Sequence, residues 1–391
     1  MNWTIFFLML PHLKPKCINY FWPELYRGID VLRVASLLII CVMLFRKKKL
    51  PSPPSILLGL LESWICFVTL ITHGDIVETC SLAVSVMAIV LLVDMYSDQM
   101  EQVIPSLMLN YEWIVYVNLI SVLKSPKHGL VYDSTQGWVA IYFFGSDNWF
   151  MYLFIPTLCL ALIYLRMNIT ESISVHKTAL FRSVCLIAAC YITILICWPV
   201  TTMMAMIVFA AVLLASRIPG VKRCVSYPVI LLGGIGANLL VSVFRIMNTV
   251  PFIASFIQNT LGKTITFSGR TEIWDTYKTP ILDNIWMGIG TPKEGYSVGE
   301  LVMDHMHNEI LDLLAQGGIP ALLLFASVLL VVSSPLTVYR NTPAARIMVA
   351  GMAALLVMCI PEVCRHGSIF LLFPLAWHVP QIESFCSKSE A

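Results

Sequence analysis

The chain has 391 residues, 58% of them hydrophobic and only 12% charged, with a net charge of +2 and a mean hydropathy of +0.81. Soluble domains carry about 25% charged residues, so there is too little polar side chain here to clothe a water-soluble globule of this size. The near-neutral balance also gives no electrostatic footprint for nucleic acid.

In chain order, apolar runs fall at 1–13, 29–45, 55–73, 79–97, 103–123, 148–165, 183–198, 200–216, 226–246, 312–334, 346–361 and 367–382. A membrane span needs roughly 20 mostly apolar residues, fewer where the bilayer thins. The pattern therefore predicts an all-α polytopic membrane protein with about 12 transmembrane helices. Residues 1–246 would supply about nine of them, 247–311 one long extracytoplasmic loop containing short helices, and 312–391 about three more. The first run, MNWTIFFLMLPHL, lacks a basic n-region and a small-residue cleavage site, and reads as a short span ended by proline rather than a signal peptide. Short loops that keep their Lys and Arg stay cytoplasmic. The clusters Arg46-Lys47-Lys48-Lys49 and Arg217, Lys222, Arg223 then lie inside, with both termini, and the 247–311 loop lies outside.

The 12 cysteines contain no CxxC pair and sit mostly in apolar runs, as small buried hydrophobes do. Arg33, inside the second run, has snorkelling as its plain explanation. The outer loop 124–147 is expected to fold over the membrane surface. Within 247–311, Ile273, Tyr277 and Ile281, with Trp274 beside them, predict an amphipathic helix over 271–282 that Thr271 can cap. A second helix is expected to start near 304 with Asp304 as N-cap, placing Asn308, Asp312 and Gln316 on one polar ridge.

Three groups of residues can do chemistry. In Ser268-Gly269-Arg270-Thr271, glycine permits close backbone approach, the helix start offers free N–H groups to an anion, and Arg270 adds a fork for phosphate oxygens. A turn with a solvated arginine explains the same four residues. In Asp304-His305-Met306-His307-Asn308, a histidine at the membrane boundary is suited to general base work. Metal binding by His305 and His307 ranks low, because i and i+2 on a helix face apart and no HExxH or cysteine partner accompanies them. The third group is the set of ionisable residues at outer span ends, Arg245, Glu362, Arg365 and His366. Glu362 and Arg365 can equally pair with each other. No P-loop or GxSxG elbow occurs, and an extracytoplasmic reaction must draw on an already activated substrate.

The runs SGRTEIW (268–274), GIG (288–290) and HNEILDLLAQGGIPALLLF (307–325) resemble the O-antigen polymerase/ligase family of bacterial envelope glycan assembly. His307 and Asn308 are followed, after nine residues, by Gly318, the spacing of that family's C-terminal signature. Ala321 departs from the residue types the pattern prefers three positions further on. The resemblance covers roughly 245–365, with weaker echoes in FFGSDNWF (143–150) and WPVTT (198–202), to which no role is given.

The resemblance implies a membrane glycosyltransferase that needs no metal or cofactor, in the cytoplasmic (inner) membrane. Its donor would be an undecaprenyl-diphosphate-linked oligosaccharide on the outer leaflet. His307 would take the proton of the attacking sugar hydroxyl and Arg270 would stabilise the leaving diphosphate. Arg245, Asn308, Glu362 and Arg365 are the candidate substrate-binding residues, and the pathway's flippase and chain-length regulator are the implied partners. SGRTEIW and HNEILDLLAQGG look more like the capsule and exopolysaccharide polymerases than like the ligases that deliver glycan to lipid A–core. A transporter or lipid-linked glycan flippase would need charged residues lining several spans, and the sequence offers mainly Arg33.

Overall fold

The computed structural model describes residues 1–133, 139–169, 177–222, 225–242, 270–299, 301–364 and 366–388. Among these, helices dominate, with two small β-hairpins. The N-terminal part comprises α1 (Trp3–Met9, continued by a 3-10 turn Leu10–Leu13), α2 (Cys17–Phe21), α3 (Pro23–Lys47), α4 (Pro53–Ile71), α5 (Ile76–Met95) and α6 (Met100–Lys124). A hairpin of β1 (Val131–Asp133) and β2 (Val139–Ile141) leads to α7 (Phe150–Met167), α8 (Lys177–Cys197), α9 (Val200–Ala215) and α10 (Tyr227–Ser242). Then come α11 (Arg270–Asp283), the hairpin β3 (Tyr296–Val298) and β4 (Leu301–Met303), and α12 (Glu309–Val338). The chain ends with α13 (Pro343–Met358), a 3-10 turn, α14 (Leu372–Trp377) and α15 (Val379–Lys388).

Seven described helical segments are long and apolar enough to cross a membrane, or eight if Gly367–Trp377 and Val379–Cys386, bent by 63°, form one span. Length and composition thus support seven or eight of the twelve expected spans among the described residues. Trp3–Leu13, α9, α10 and α13 are apolar but short. At a rise of 1.5 Å per residue a 16-residue helix extends about 24 Å, less than the roughly 30 Å of hydrocarbon.

Tight local signals set the helix ends. Asn2 caps α1 through Thr4 N, Asp75 caps α5 through Glu78 N, and Thr342 caps α13 through Ala345 N. The main core runs through the helical bundle, with Ile89, Tyr111, Phe150, Phe154 and Phe373 fully buried. A second, smaller core of Ile273, Ile281, Tyr296, Met306 and Ala315 holds α11 and the β3–β4 hairpin against the start of α12.

Loops that alternate along the chain gather at two ends of the bundle. At one end, Lys16 N donates to Phe144 O (2.9 Å), Asp75 N to Thr291 O (2.8 Å) and Glu309 N to Cys359 O (3.1 Å). At the other, Lys49 pairs with Asp98 (2.5 Å), Ser52 N donates to Asp94 (2.8 Å) and Ala344 N to Glu383 (2.6 Å).

Charge inside the bundle is richer than Arg33 alone. His378 bonds Asp94 (2.8 Å) and Arg182 pairs with Glu112 (2.5 Å), with Asp94 and Glu112 buried in their helices. Arg33 does not snorkel: it donates to Pro11 O (3.0 Å), Asp30 (3.2 Å) and Ser81 (3.1 Å), with its side chain 11% exposed. The partners of His378 and Arg182 come from other helices, which residue spacing does not show.

Candidate functional site

The site assembles around Glu362, which follows α13 in the loop leading to the 3-10 turn. Its carboxylate is buried and receives three groups from two distant segments. Arg270, the first described residue of α11, places its guanidinium on Oε1. His305 Nε2 and His307 Nδ1 both lie 3.0 Å from Oε2. Arg270 and His307 thus converge on one carboxylate.

The local chain explains the convergence. Residues 304–308 are not helical; α12 begins at Glu309, and its N-cap is Asn308, whose side chain accepts from Leu311 N at 3.1 Å, rather than Asp304. His307 has φ +49°, in the left-handed region that a non-glycine residue rarely occupies. That turn brings the rings of His305 and His307 to 4.0 Å between centroids, where an i, i+2 pair on a helix would point apart. Two bonds pin the segment: Trp274 Nε1 donates to Met306 O (2.6 Å), and Met306 N to Asp312 Oδ1 (3.0 Å). Gln316 Nε2 in turn donates to Asp312 Oδ2 (2.5 Å), so the ridge of Asn308, Asp312 and Gln316 is inward-facing and buried. The expected amphipathic helix is present as α11, whose described part runs from Arg270 to Asp283, so that Thr271 falls within the helix.

Electrostatics follow from burial and neighbours. Burial alone would raise the Glu362 carboxyl, but Arg270 and then the histidines hold it well below the usual carboxylate range. Burial lowers His307 to about 4, against the opposing pull of Glu362. An ionised Glu362 only accepts hydrogen bonds, so neutral His307 turns Nδ1–H toward it and keeps its Nε2 lone pair. That is the geometry of a carboxylate-oriented base.

Asn308 faces inward: Nδ2 donates to Asn238 Oδ1 and Ile360 O, both 2.9 Å. It ties α10 and the Glu362 loop to the start of α12. Glu362 organises the cluster from within instead of presenting a free carboxylate. Arg245, Arg365, Ser268 and Gly269 lie outside the described residues. His366 is buried beside the rings of Phe144 and Trp149 (5.0 and 5.6 Å between centroids), and burial lowers it to about 3, so it is neutral rather than one of the charges. A cavity of about 440 Å³ opens at this end, lined by Lys14, Arg33, Glu62, Asp312, Gln316 and His366 among others. Glu62 and Lys14 carried no motif, so sequence spacing did not single them out for such a chamber.

His305, His307 and Glu362 offer ligand atoms within 4.8 Å of one another, as do Glu309, Cys359 and Cys364. The first set has donor types that suit a transition metal, yet the Arg270 guanidinium on Glu362 sets a fixed positive charge beside any such ion. In the second, Glu309 Oε2 is engaged by Cys364 N at 2.6 Å.

Fold and site together define a polytopic membrane protein with a buried carboxylate, two histidines and an arginine at one end of its bundle. Residues 137–326, just under half of the chain, match the family Wzy_C, described as O-antigen ligase. Members are glycosyltransferase-like enzymes, ligases and polymerases alike. The match begins well upstream of 245, takes in FFGSDNWF and WPVTT, and stops before Glu362. No curated protein matches the chain.

Proposed function

We propose that the protein is a polysaccharide polymerase. It joins oligosaccharide repeat units carried on undecaprenyl diphosphate at the outer face of the cytoplasmic membrane, for capsule, exopolysaccharide or O-antigen. The observation that carries this reading is the shared carboxylate: Glu362 holds Arg270 on one oxygen and His307 on the other.

In the reaction, a hydroxyl of the acceptor sugar attacks the anomeric carbon of the donor. Its proton passes to His307 Nε2 as the new C–O bond forms. The old bond from the anomeric carbon to the phosphate oxygen breaks, and its electron pair leaves with the lipid diphosphate. Arg270 faces the charge that develops there, a role worth roughly 3 kcal/mol where a fixed donor meets developing charge. No redox or nucleotide chemistry enters, because the diphosphate ester is already activated.

A ligase would perform the same transfer onto lipid A–core. The runs SGRTEIW and HNEILDLLAQGG favour polymerisation. The discriminating experiment sizes lipid-linked glycans in a strain lacking the gene and complemented with wild type, His307→Ala or Arg270→Ala. Single repeat units accumulating in the variants support polymerisation, and long chains stranded on the lipid would assign ligation instead. Normal glycans with both variants would remove the glycosyl-transfer reading.

A further inference from the structure

At the end of the bundle opposite the Glu362 cluster, a cavity of about 190 Å³ lies between the α9–α10 connection and the α12–α13 turn. Lys222, Arg340 and Arg346 line it, and none of its lining residues is acidic. None of the three cations makes a side-chain hydrogen bond or ion pair among the described residues. Elsewhere in this structure basic side chains find carboxylates, as Lys49 does with Asp98 and Arg182 with Glu112. Three unpaired cations converging from segments far apart in sequence repel one another unless an anion sits between them.

A second observation points the same way. Tyr227, fully buried at the start of α10, also lines the cavity, and its hydroxyl has no partner. A buried hydroxyl without a partner is costly, and a phosphate oxygen between the cations can accept from it. Ser226 and Asn341 add further donors to the lining. The cavity sits where apolar helices end, α9 at Ala215, α12 at Val338, α10 starting at Tyr227 and α13 at Pro343. α12 is long enough to cross a membrane and ends at Val338 beside the cavity, which puts the cavity near the headgroups, where basic pockets between helix ends bind anionic lipids.

We infer that this cavity is a binding site for a phosphate-bearing anion, and that its occupant is the headgroup of an anionic phospholipid. Arg340 and Arg346 fork onto the phosphate oxygens, Lys222 adds a point charge and Tyr227 donates its hydroxyl. The site is separate from the glycosyl-transfer cluster, so the inference does not depend on the proposed function.

The test is native mass spectrometry of the full-length protein in detergent, with phosphatidylglycerol, phosphatidylcholine or inorganic phosphate added, alongside melting curves under the same conditions. The wild type should retain phosphatidylglycerol in preference to phosphatidylcholine and melt higher with it. The Lys222→Ala/Arg340→Ala/Arg346→Ala variant should bind it on the order of 100-fold more weakly, the effect of removing three near-surface cations. Tyr227→Phe, which keeps the ring in the core, should weaken retention by a smaller factor and guards against a triple variant that fails to fold. Equal retention of both lipids, or undiminished retention by the well-folded variants, overturns the inference. Protection by inorganic phosphate equal to that by phosphatidylglycerol overturns the lipid assignment and makes the site one for free phosphate.

Discussion

Gly288 and Gly318 pack backbone to backbone, and this contact breaks the helix that carries the site. Gly318 sits inside α12 with φ +62° and ψ −159°, and Gly288 has φ +81°. A Cβ on Gly318 would come 2.6 Å from Ile285 O, and one on Gly288 would come 2.7 Å from Ala315 O. Across the break Ile289 N donates to Ala315 O (2.6 Å) and Ile319 N to Ile285 O (2.9 Å). The loop after α11 thus replaces hydrogen bonds that α12 would otherwise make within itself, and it fixes the first turns of α12 beneath His307.

Gly318→Ala should therefore cost more than an exposed glycine substitution, about 2 kcal/mol or more, because both the positive φ and the backbone contact resist a side chain. Melting of the purified protein in detergent should show the loss. Glycan elongation should fall with it, since the 285–289 loop no longer docks.

The glycine spacing after His307 and Asn308 was legible as a motif, but its reason was not. Only the docking of GIG (288–290) into the break at Gly318 shows why glycine is needed at that distance. The apolar runs located the helices well, because hydropathy is a local property. Among the described helices, length supports seven or eight of the twelve expected spans, and α9 and α13 are apolar yet only 16 residues long. Arg270 and His307 stood out by motif. Their meeting on Glu362 did not, since the three residues are separated by 55 and 92 positions. His305 was set aside on helical geometry, and the left-handed turn at His307 that makes it a neighbour leaves no mark in residue spacing.

Glu362→Gln keeps the shape and removes the charge. Arg270 would then be left as a largely buried cation without its counter-ion, a change that commonly costs about 3–5 kcal/mol. His307 would lose the acceptor that orients Nδ1–H. Glycosyl transfer by whatever protein still folds should drop about 100-fold or more. An initial-rate assay normalised to folded protein separates the two losses, and an unchanged rate would remove Glu362 from the site.

Asn308→Ala should destabilise by about 1 kcal/mol through the lost N-cap alone, and by more because Asn238 and Ile360 lose their donor. Asn308→Asp restores the cap but not the two N–H donors. Its melting temperature should therefore fall between those of wild type and alanine variant. A melting temperature equal to the alanine variant's would mean that the cap contributes nothing.

Stability should depend on His307 in a defined pH window. Its folded pKa of about 4 lies below the ordinary 6.5, so the unfolded chain takes up the proton first. The contribution is complete above about 6.5 and is lost as pH falls toward about 4, amounting to about 3 kcal/mol across the window. Glu362, also held low, adds a loss of the same sign below the usual carboxylate range. Melting temperature followed from pH 7 to 4 should slope downward in the wild type and be flatter in His307→Gln.

The central claim is that His307, oriented by Glu362, removes the acceptor proton during transfer from a lipid diphosphate. The most direct measurement is glycosyl transfer by the purified full-length protein in liposomes, using an undecaprenyl-diphosphate-linked oligosaccharide as both donor and acceptor and comparing wild type with His307→Ala. The account predicts lengthening products from the wild type and a rate at least about 100-fold lower from the variant, with the variant still folded. Equal rates from both proteins would contradict it.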